Sequence, residues 1–262
     1  MGTSNHFNRK AWKLLIHKDL FKQAAFTARF EWGYEGVELV GRGSSIIVIV
    51  DVLSFSTCVD VVIGREGIVY PYRVKDDTAA RFAEQKGALL AGSRGERISL
   101  SPAALQTIPL NSRIVLPSPN GSTCTVLAKE HKATVIAGCL RNASAVASFV
   151  RAHKGTVTII ACGERWPSGA LRPAIEDIIA AGAILHELGE HILSPEAQMA
   201  VAAYTSARND LAHLLLQSGS GQELIHRGYP EDVHVAALHN VSENVPVLND
   251  DMAYEAASWD KL

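Results

Sequence analysis

Five short segments of this chain bring acids, hydroxyls, arginines and glycines together in the order a strand followed by a helix would present them. The first, Asp51-Val52-Leu53-Ser54-Phe55-Ser56-Thr57, ends an apolar run in a carboxylate and continues in hydroxyls. Such a carboxylate can ligate Mg²⁺, and hydroxyls beside the free N–H groups of a helix start can hold an anion. The plainer reading is that Ser56 only caps a helix. The second segment, Gly92-Ser93-Arg94-Gly95-Glu96-Arg97, suits an anion-binding turn, with Glu96 as base, ligand or arginine partner. In the third, Ser118-Pro119-Asn120-Gly121-Ser122-Thr123, Asn-Gly makes a tight turn and the hydroxyls again sit where a helix begins. The fourth, Gly138-Cys139-Leu140-Arg141-Asn142, reads as little more than an Asn-capped helix. The fifth runs through Cys162-Gly163-Glu164-Arg165-Trp166 to Glu176-Asp177 in a first helical turn, where the helix dipole favours acids. Neighbouring helical residues diverge by about 100°, so one of those two acids is expected to face a site.

The elements that must position these segments are legible as alternation. Short apolar runs occupy 45–50, 67–70, 88–91, 113–116, 134–137 and 156–161, with helical patterns at 56–63, 77–86, 121–130 and 142–153. Continuous apolar runs without period-two alternation are what a parallel sheet covered on both faces requires. The pattern predicts a three-layer α/β/α fold with a mostly parallel sheet. Consecutive helices at 174–190, 196–216, 219–227 and 230–238 predict a helical C-terminal region packed on that sheet. Residues 1–43 are read as an N-terminal arm and 44–262 as a single α/β domain. In open α/β sheets ligands bind beyond the carboxyl ends of strands, which gathers all five segments along one edge.

Composition narrows the classes. The 262 residues carry a formal net charge of −2 with scattered cations, which argues against a nucleic-acid surface. No apolar run is long enough to span a membrane, and the first twenty residues lack the features of a secretory signal. Four cysteines without a CxxC pair suit reduced, buried thiols in a cytoplasm. Neither GxxxxGK[ST], GxGxxG nor GxSxG occurs, which disfavours the standard nucleotide sites and an α/β-hydrolase.

Taken together, Asp51-Val52-Leu53 with Ser56-Thr57, Gly95-Glu96-Arg97, Asn120-Gly121-Ser122, and Ala161-Cys162-Gly163 followed by Glu176-Asp177 resemble the 2-phosphosulfolactate phosphatase family. The tail agrees in order, through Gly219-Ser220-Gly221, Gly228, Asp232-Val233 and Val245-Pro246, so the resemblance spans about 44–250. It implies a Mg²⁺-dependent phosphatase of three-layer α/β fold that oligomerises. In the named members of that family, phosphate is released from a sulfonated 2-hydroxy acid during coenzyme M synthesis. Carried over, Asp51 and Glu176 or Asp177 become metal or catalytic carboxylates. Ser56, Thr57, Asn120, Gly121 and Ser122 become phosphate-site residues, Cys162 and Gly163 line the substrate, and Glu96 and Arg97 match the family's GER turn. Arg97 or Arg165 is expected to steady the transition state. Two departures stand out. Ser54 occupies a place where the family usually has arginine, and the loop after Arg97 is shortened to Ile98-Ser99-Leu100-Ser101-Pro102. A hydroxyl does not replace a bidentate guanidinium contact. The expectation is therefore a cytoplasmic Mg²⁺ phosphatase acting on a small phosphorylated 2-hydroxy acid. The alternative is a non-catalytic binder of small anions on the same fold.

Overall fold

Ile46-Ile47-Val48-Ile49-Val50 is buried along its whole length, because helices cover the strand it forms on both faces. Ile46, Val48 and Val50 face one apolar cluster while Ile47 and Ile49 face another, so two cores lie on opposite sides of one sheet. The computed structural model describes residues 20–258. Its first half contains β1 (Ala28–Trp32), β2 (Ile46–Val50), α1 (Phe55–Ile63), β3 (Ile68–Tyr72), α2 (Asp77–Lys86) and β4 (Leu89–Leu90). There follow β5 (Arg113–Pro117), α3 (Gly121–Lys129), β6 (Thr134–Gly138), α4 (Ala143–Ala152) and β7 (Val157–Ala161). A small hairpin, β8 (Glu164–Arg165) and β9 (Leu171–Arg172), precedes α5 (Ile175–His186) and α6 (Pro195–Ala207). The chain closes with α7 (Leu211–Gln217), α8 (Gly219–His226), α9 (Pro230–Ala237), β10 (Pro246–Leu248) and β11 (Tyr254–Ala256). None of these helices is long and apolar enough to cross a membrane.

The nine-stranded sheet has the order β1-β7-β2-β6-β10-β11-β3-β5-β4 and is mostly parallel. Strands β1, β7, β2 and β6 form one parallel block, and β3, β5 and β4 form another. Between them the hairpin β10–β11 adds three antiparallel steps, each block touching it through a single registered pair, Val247↔Ile136 and Tyr254↔Val69. Three reversals set the two blocks running in opposite senses. Sheet twist of roughly 20–25° per neighbouring strand still turns the blocks enough for their carboxyl ends to converge, as the contacts of Asp51 below show. Tyr254 is fully buried at this seam, its hydroxyl paired with Thr125 at 2.9 Å.

Two sequence expectations change here. The boundary at residue 44 cuts through the fold, because Ala28–Trp32 pairs in full register with Val157–Ala161 as an edge strand. Residues 1–19 of the expected arm lie outside the described residues. The C-terminal region is not helical throughout: its last segment returns as β10 and β11 to the centre of the sheet. The expected helix 196–216 is divided at Asn209-Asp210, where short polar side chains favour a turn over continued helix.

The outer edge of β1 is covered at Ala28 by the backbone of 192–194 and at Phe30 by one side chain. Gln23 accepts the Phe30 N–H at 3.2 Å and donates to the Phe30 carbonyl at 2.8 Å, imitating the next strand. Gln23→Ala should lower unfolding free energy by about 1–3 kcal/mol, the loss of two buried bonds, and increase self-association. Urea denaturation with light scattering checks this; an unchanged midpoint and a monodisperse sample would contradict it.

Candidate active site

Asp51 directly follows β2, and its carboxylate is the meeting point of both blocks. Oδ1 accepts the Phe55 N–H at 3.3 Å, from the start of α1. Oδ2 accepts the Gly121 N–H at 2.8 Å, from the start of α3, and the Ser118 hydroxyl at 3.4 Å. Helix N-termini present unpaired N–H groups and partial positive charge, so they are natural partners for a carboxylate. Gly121 cannot carry a side chain here: a Cβ would lie 2.7 Å from Asp51 Oδ2 and collide with the Phe55 ring. Even so, burial pushes the Asp51 carboxyl up to about 6, the Glu176 charge adding to the effect and the hydrogen bonds opposing it.

Three further acids surround it. Asp177 receives the Val52 N–H and the Gly163 N–H, both at 2.8 Å, and so ties the exits of β2 and β7 together. Burial and the charges of Asp51 and Glu176 hold its carboxyl well above the usual range. Glu176, 2% exposed, has an Oε2 with no hydrogen-bond partner. Glu164, half-buried, receives the Asn120 side-chain amide at 2.9 Å. Burial first, and then the charges of Asp51 and Glu176, push its carboxyl up to about 7. The other amide atom, Asn120 Oδ1, is buried and unpartnered. Two orphaned acceptors beside four crowded acids mark a place where positive charge is missing.

A cleft of about 170 Å³ opens above Asp51, with Ser54, Arg94, Ser118, Asn120, Glu164 and Arg227 in its walls. Arg94 is held by Asp232, which also takes the Ser101 hydroxyl at 2.5 Å, and it lies over the Tyr229 ring. Its Nη2 donates to Ser54 Oγ at 3.3 Å. A guanidinium therefore arrives at Ser54 from another loop.

The sequence-expected residues divide accordingly. Asp51, Asn120 and Glu176 are brought together. Gly121 and Gly163 serve through their N–H groups, given to Asp51 and Asp177. The hydroxyls of Ser56, Thr57 and Ser122 are buried and donate to the carbonyls of Asp51, Val52 and Leu116 at 2.7–2.9 Å. They shape the turns instead of facing a ligand, and the helix-start anion is the protein's own Asp51. Cys162 is fully buried behind the site, its thiol pushed up by burial. Glu96 and Arg97 are exposed and absent from the cleft walls; Glu96 takes the Ser93 N–H at 2.5 Å within its own loop. Arg165 points to the opposite face of the hairpin from Glu164, as strand alternation requires. It stacks 4.0 Å above the Tyr34 ring, and Tyr34 in turn bonds the Pro119 carbonyl. Both acids at 176–177 turn inward, where one was expected, because Asp177 is absorbed by backbone amides. Glu164 and Arg94 lie inside the segments read as chemically loaded, without a role of their own in that reading. Glu164 stands three residues past the end of β7, where Asp51 directly follows β2, so the strand-exit signal marks it less sharply; nothing local distinguishes Arg94 from Arg97.

A buried acid cluster beneath a guanidinium-bearing rim defines an α/β protein suited to handling a phosphorylated ligand. The family model for 2-phosphosulpholactate phosphatase matches residues 36–251, and the chain belongs to that family of phosphoric monoester hydrolases. It is 30% identical to the 2-phosphosulfolactate phosphatase of Methanothermobacter thermautotrophicus, over 80% of this chain and 89% of that protein. It is 29% identical to the probable 2-phosphosulfolactate phosphatase of Pseudothermotoga lettingae, over 79% of this chain and 90% of the relative.

The crowded acids set a direction for stability. Burial and mutual repulsion favour the protonated forms in the folded chain, while unfolded carboxyls ionise near pH 4, that is, at roughly 3.9–4.3. The folded state thus holds protons that the unfolded state has lost, and stability of the metal-free protein falls as pH rises from about 4 through the folded values of about 6 and about 7. Glu176→Gln removes the charge that raises Asp51, Asp177 and Glu164, and breaks no bond at Oε2. Thermal unfolding should show a shallower decline with pH and a higher Tm at pH 8, by about 2–4 °C per kcal/mol relieved. A lower Tm with the original slope would contradict the repulsion. Gly121→Ala should destabilise by about 1–3 kcal/mol through overpacking against Phe55 and Asp51, measured by chemical denaturation.

Proposed function

We propose that the chain is a Mg²⁺-dependent phosphatase hydrolysing a small phosphorylated 2-hydroxy acid. The observation that carries this reading is the pairing of buried, under-compensated acids, Asp51 and Glu176, with a cleft whose rim carries Arg94 and Arg227. Acids below suit a cation, and guanidinium groups above suit phosphate oxygens.

The metal fits the donor set. Among the described residues no three acidic, histidine or cysteine side chains are gathered closely enough to encage an ion. Mg²⁺ does not need such a cage, since it is commonly held by one or two carboxylates, with waters and substrate phosphate completing the shell. Asp51 and the orphaned Glu176 Oε2 would hold it, while Asp177 serves to fix the loops that carry them. When bound, the ion neutralises charge on the phosphoryl oxygens. Arg94, oriented by Asp232 and Tyr229, binds the anion at Ser54. Glu164, fixed by Asn120 in the cleft wall beside Asp51, is placed to hold or give up a proton at its free carboxyl oxygen. The four buried free cysteines suit a reducing cytoplasm, and a homo-oligomer is part of the same reading.

The test is phosphate release from a panel of phosphorylated 2-hydroxy acids, with Mg²⁺ and with excess chelator. Turnover that depends on the metal and falls at least about 100-fold in Asp51→Asn is expected, the scale on which loss of a group acting in the transition state is felt. Well-folded protein without metal-dependent turnover on any member would overturn the reading.

A further inference from the structure

The cleft above Asp51 has a further polar wall, supplied by α8 through Ser220, Glu223, Leu224 and Arg227. Ser220 is 4% exposed, and its Oγ accepts Arg172 Nη2 at 3.0 Å. A hydroxyl that accepts a hydrogen bond still has its own proton to donate. Among the described residues, nothing accepts the Ser220 proton.

Arg172 brings a charge to this wall without an acid to match it. Arg94 is paired with Asp232 and Arg227 with Glu223, whereas Arg172 enters no ion pair among the described residues. Glu164 stands directly opposite Arg172 in the β8–β9 register, and so on the same face of the hairpin. Its carboxylate nevertheless takes the Asn120 amide. The Trp166 ring flanks the guanidinium, 5.8 Å from Cζ.

The helix adds positive charge instead of removing it. A Cβ at Gly219 would lie 3.2 Å from Arg172 Nη1, so the guanidinium lies against the first turn of α8. Helix starts carry partial positive charge, and cations are favoured at the opposite end. Ser220 is a neutral partner and does not offset this juxtaposition. An anion in the cleft would. A carboxylate fits the donors offered, since its planar pair of oxygens can take a guanidinium N–H and a hydroxyl together.

We propose that Arg172 and Ser220 bind the carboxylate of the substrate and so determine specificity. This rests on the phosphatase reading and deepens it. The phosphate lies over Asp51, the acid group of the same molecule is held at the start of α8, and esters of hydroxy acids are hydrolysed in preference to esters of simple alcohols. Arg172 supplies the charge, and Ser220 presents a donor polarised by it to the cleft.

The experiment compares racemic 2-phospholactate with isopropyl phosphate, in which a methyl group replaces the carboxylate, in the presence of Mg²⁺. Wild type, Arg172→Gln and Ser220→Ala are assayed, each checked for folding by a thermal melt. Wild-type kcat/KM should favour 2-phospholactate by about tenfold to a hundredfold, the scale of hydrogen bonds to a charged group. In Arg172→Gln the ratio should fall towards one, chiefly through a raised KM for 2-phospholactate. Ser220→Ala should also lower it, and supplies the test by itself if Arg172→Gln does not fold. A wild-type ratio near one, or a ratio that the substitutions leave unchanged, overturns the assignment. Equal losses on both compounds leave the ratio unchanged and give Arg172 a purely structural role. Should neither compound turn over in wild type, the phosphatase reading fails, and calorimetry with the same two compounds decides this site separately. Tighter binding of 2-phospholactate that Arg172→Gln abolishes upholds it, and equal affinities in wild type overturn it.

Discussion

Everything in this molecule converges on the carboxylate of Asp51. Its two oxygens are held by the first N–H groups of α1 and α3, which follow strands from opposite blocks of the sheet. An internal anion at two helix N-termini satisfies donors that would otherwise be orphaned, and it locks the two blocks at their converging ends. The glycine at 121 follows from that lock, since the helix start must approach the acid more closely than any Cβ permits. So do the buried hydroxyls of Ser56, Thr57 and Ser122, which close the turns on either side. Fold and site share one interaction.

That interaction leaves the site electrostatically short of positive charge. The nearest guanidinium groups are assigned elsewhere: Arg165 to the Tyr34 ring, Arg172 to Ser220, and Arg94 to Asp232 and Ser54. No cation is paired directly with Asp51 or Glu176 among the described residues. A fold optimised for stability alone would place apolar or paired side chains there, because unpaired buried acids destabilise it. The strain sits at the site where a cation and a phosphorylated ligand would relieve it, and binding would stabilise the fold by the same interactions.

The sheet was legible in the sequence wherever burial imposed a pattern. β2 and β7 read as strands because both faces are covered, and the helical pattern at 77–86 coincides with α2, which the structure closes with an Asp76 cap and a Gly87 stop. β1, β10 and β11 were not, since ARFEW, PVL and YEA are short and mixed in polarity, and their pairing partners lie far along the chain. The site was legible in its residue types and opaque in their directions. Strand-end acids identified Asp51, yet the hydroxyls beside it look the same in sequence whether they face a ligand or a carbonyl. Only the three-dimensional turn decides, and here it turns them inward.

The choice between Arg94 and Arg97 shows why such directions resist sequence reasoning. Both arginines sit in one glycine-flanked loop, three residues apart, with equal local claims on an anion. Arg94 is selected by Asp232, which lies 138 positions further on at the start of α9 and is itself fixed by Ser101 and the Ala103 N–H. Tyr229 supplies the aromatic face beneath it. Because α9 also packs into the core through Val233 and Ala236, the guanidinium is anchored to the fold and not to its own loop. The place left by Ser54 is thus served by an arginine whose orientation is written in the C-terminal helices. This is the physical role of that helical region: it covers one layer of the sheet and aims a cation from that layer at the cleft above Asp51.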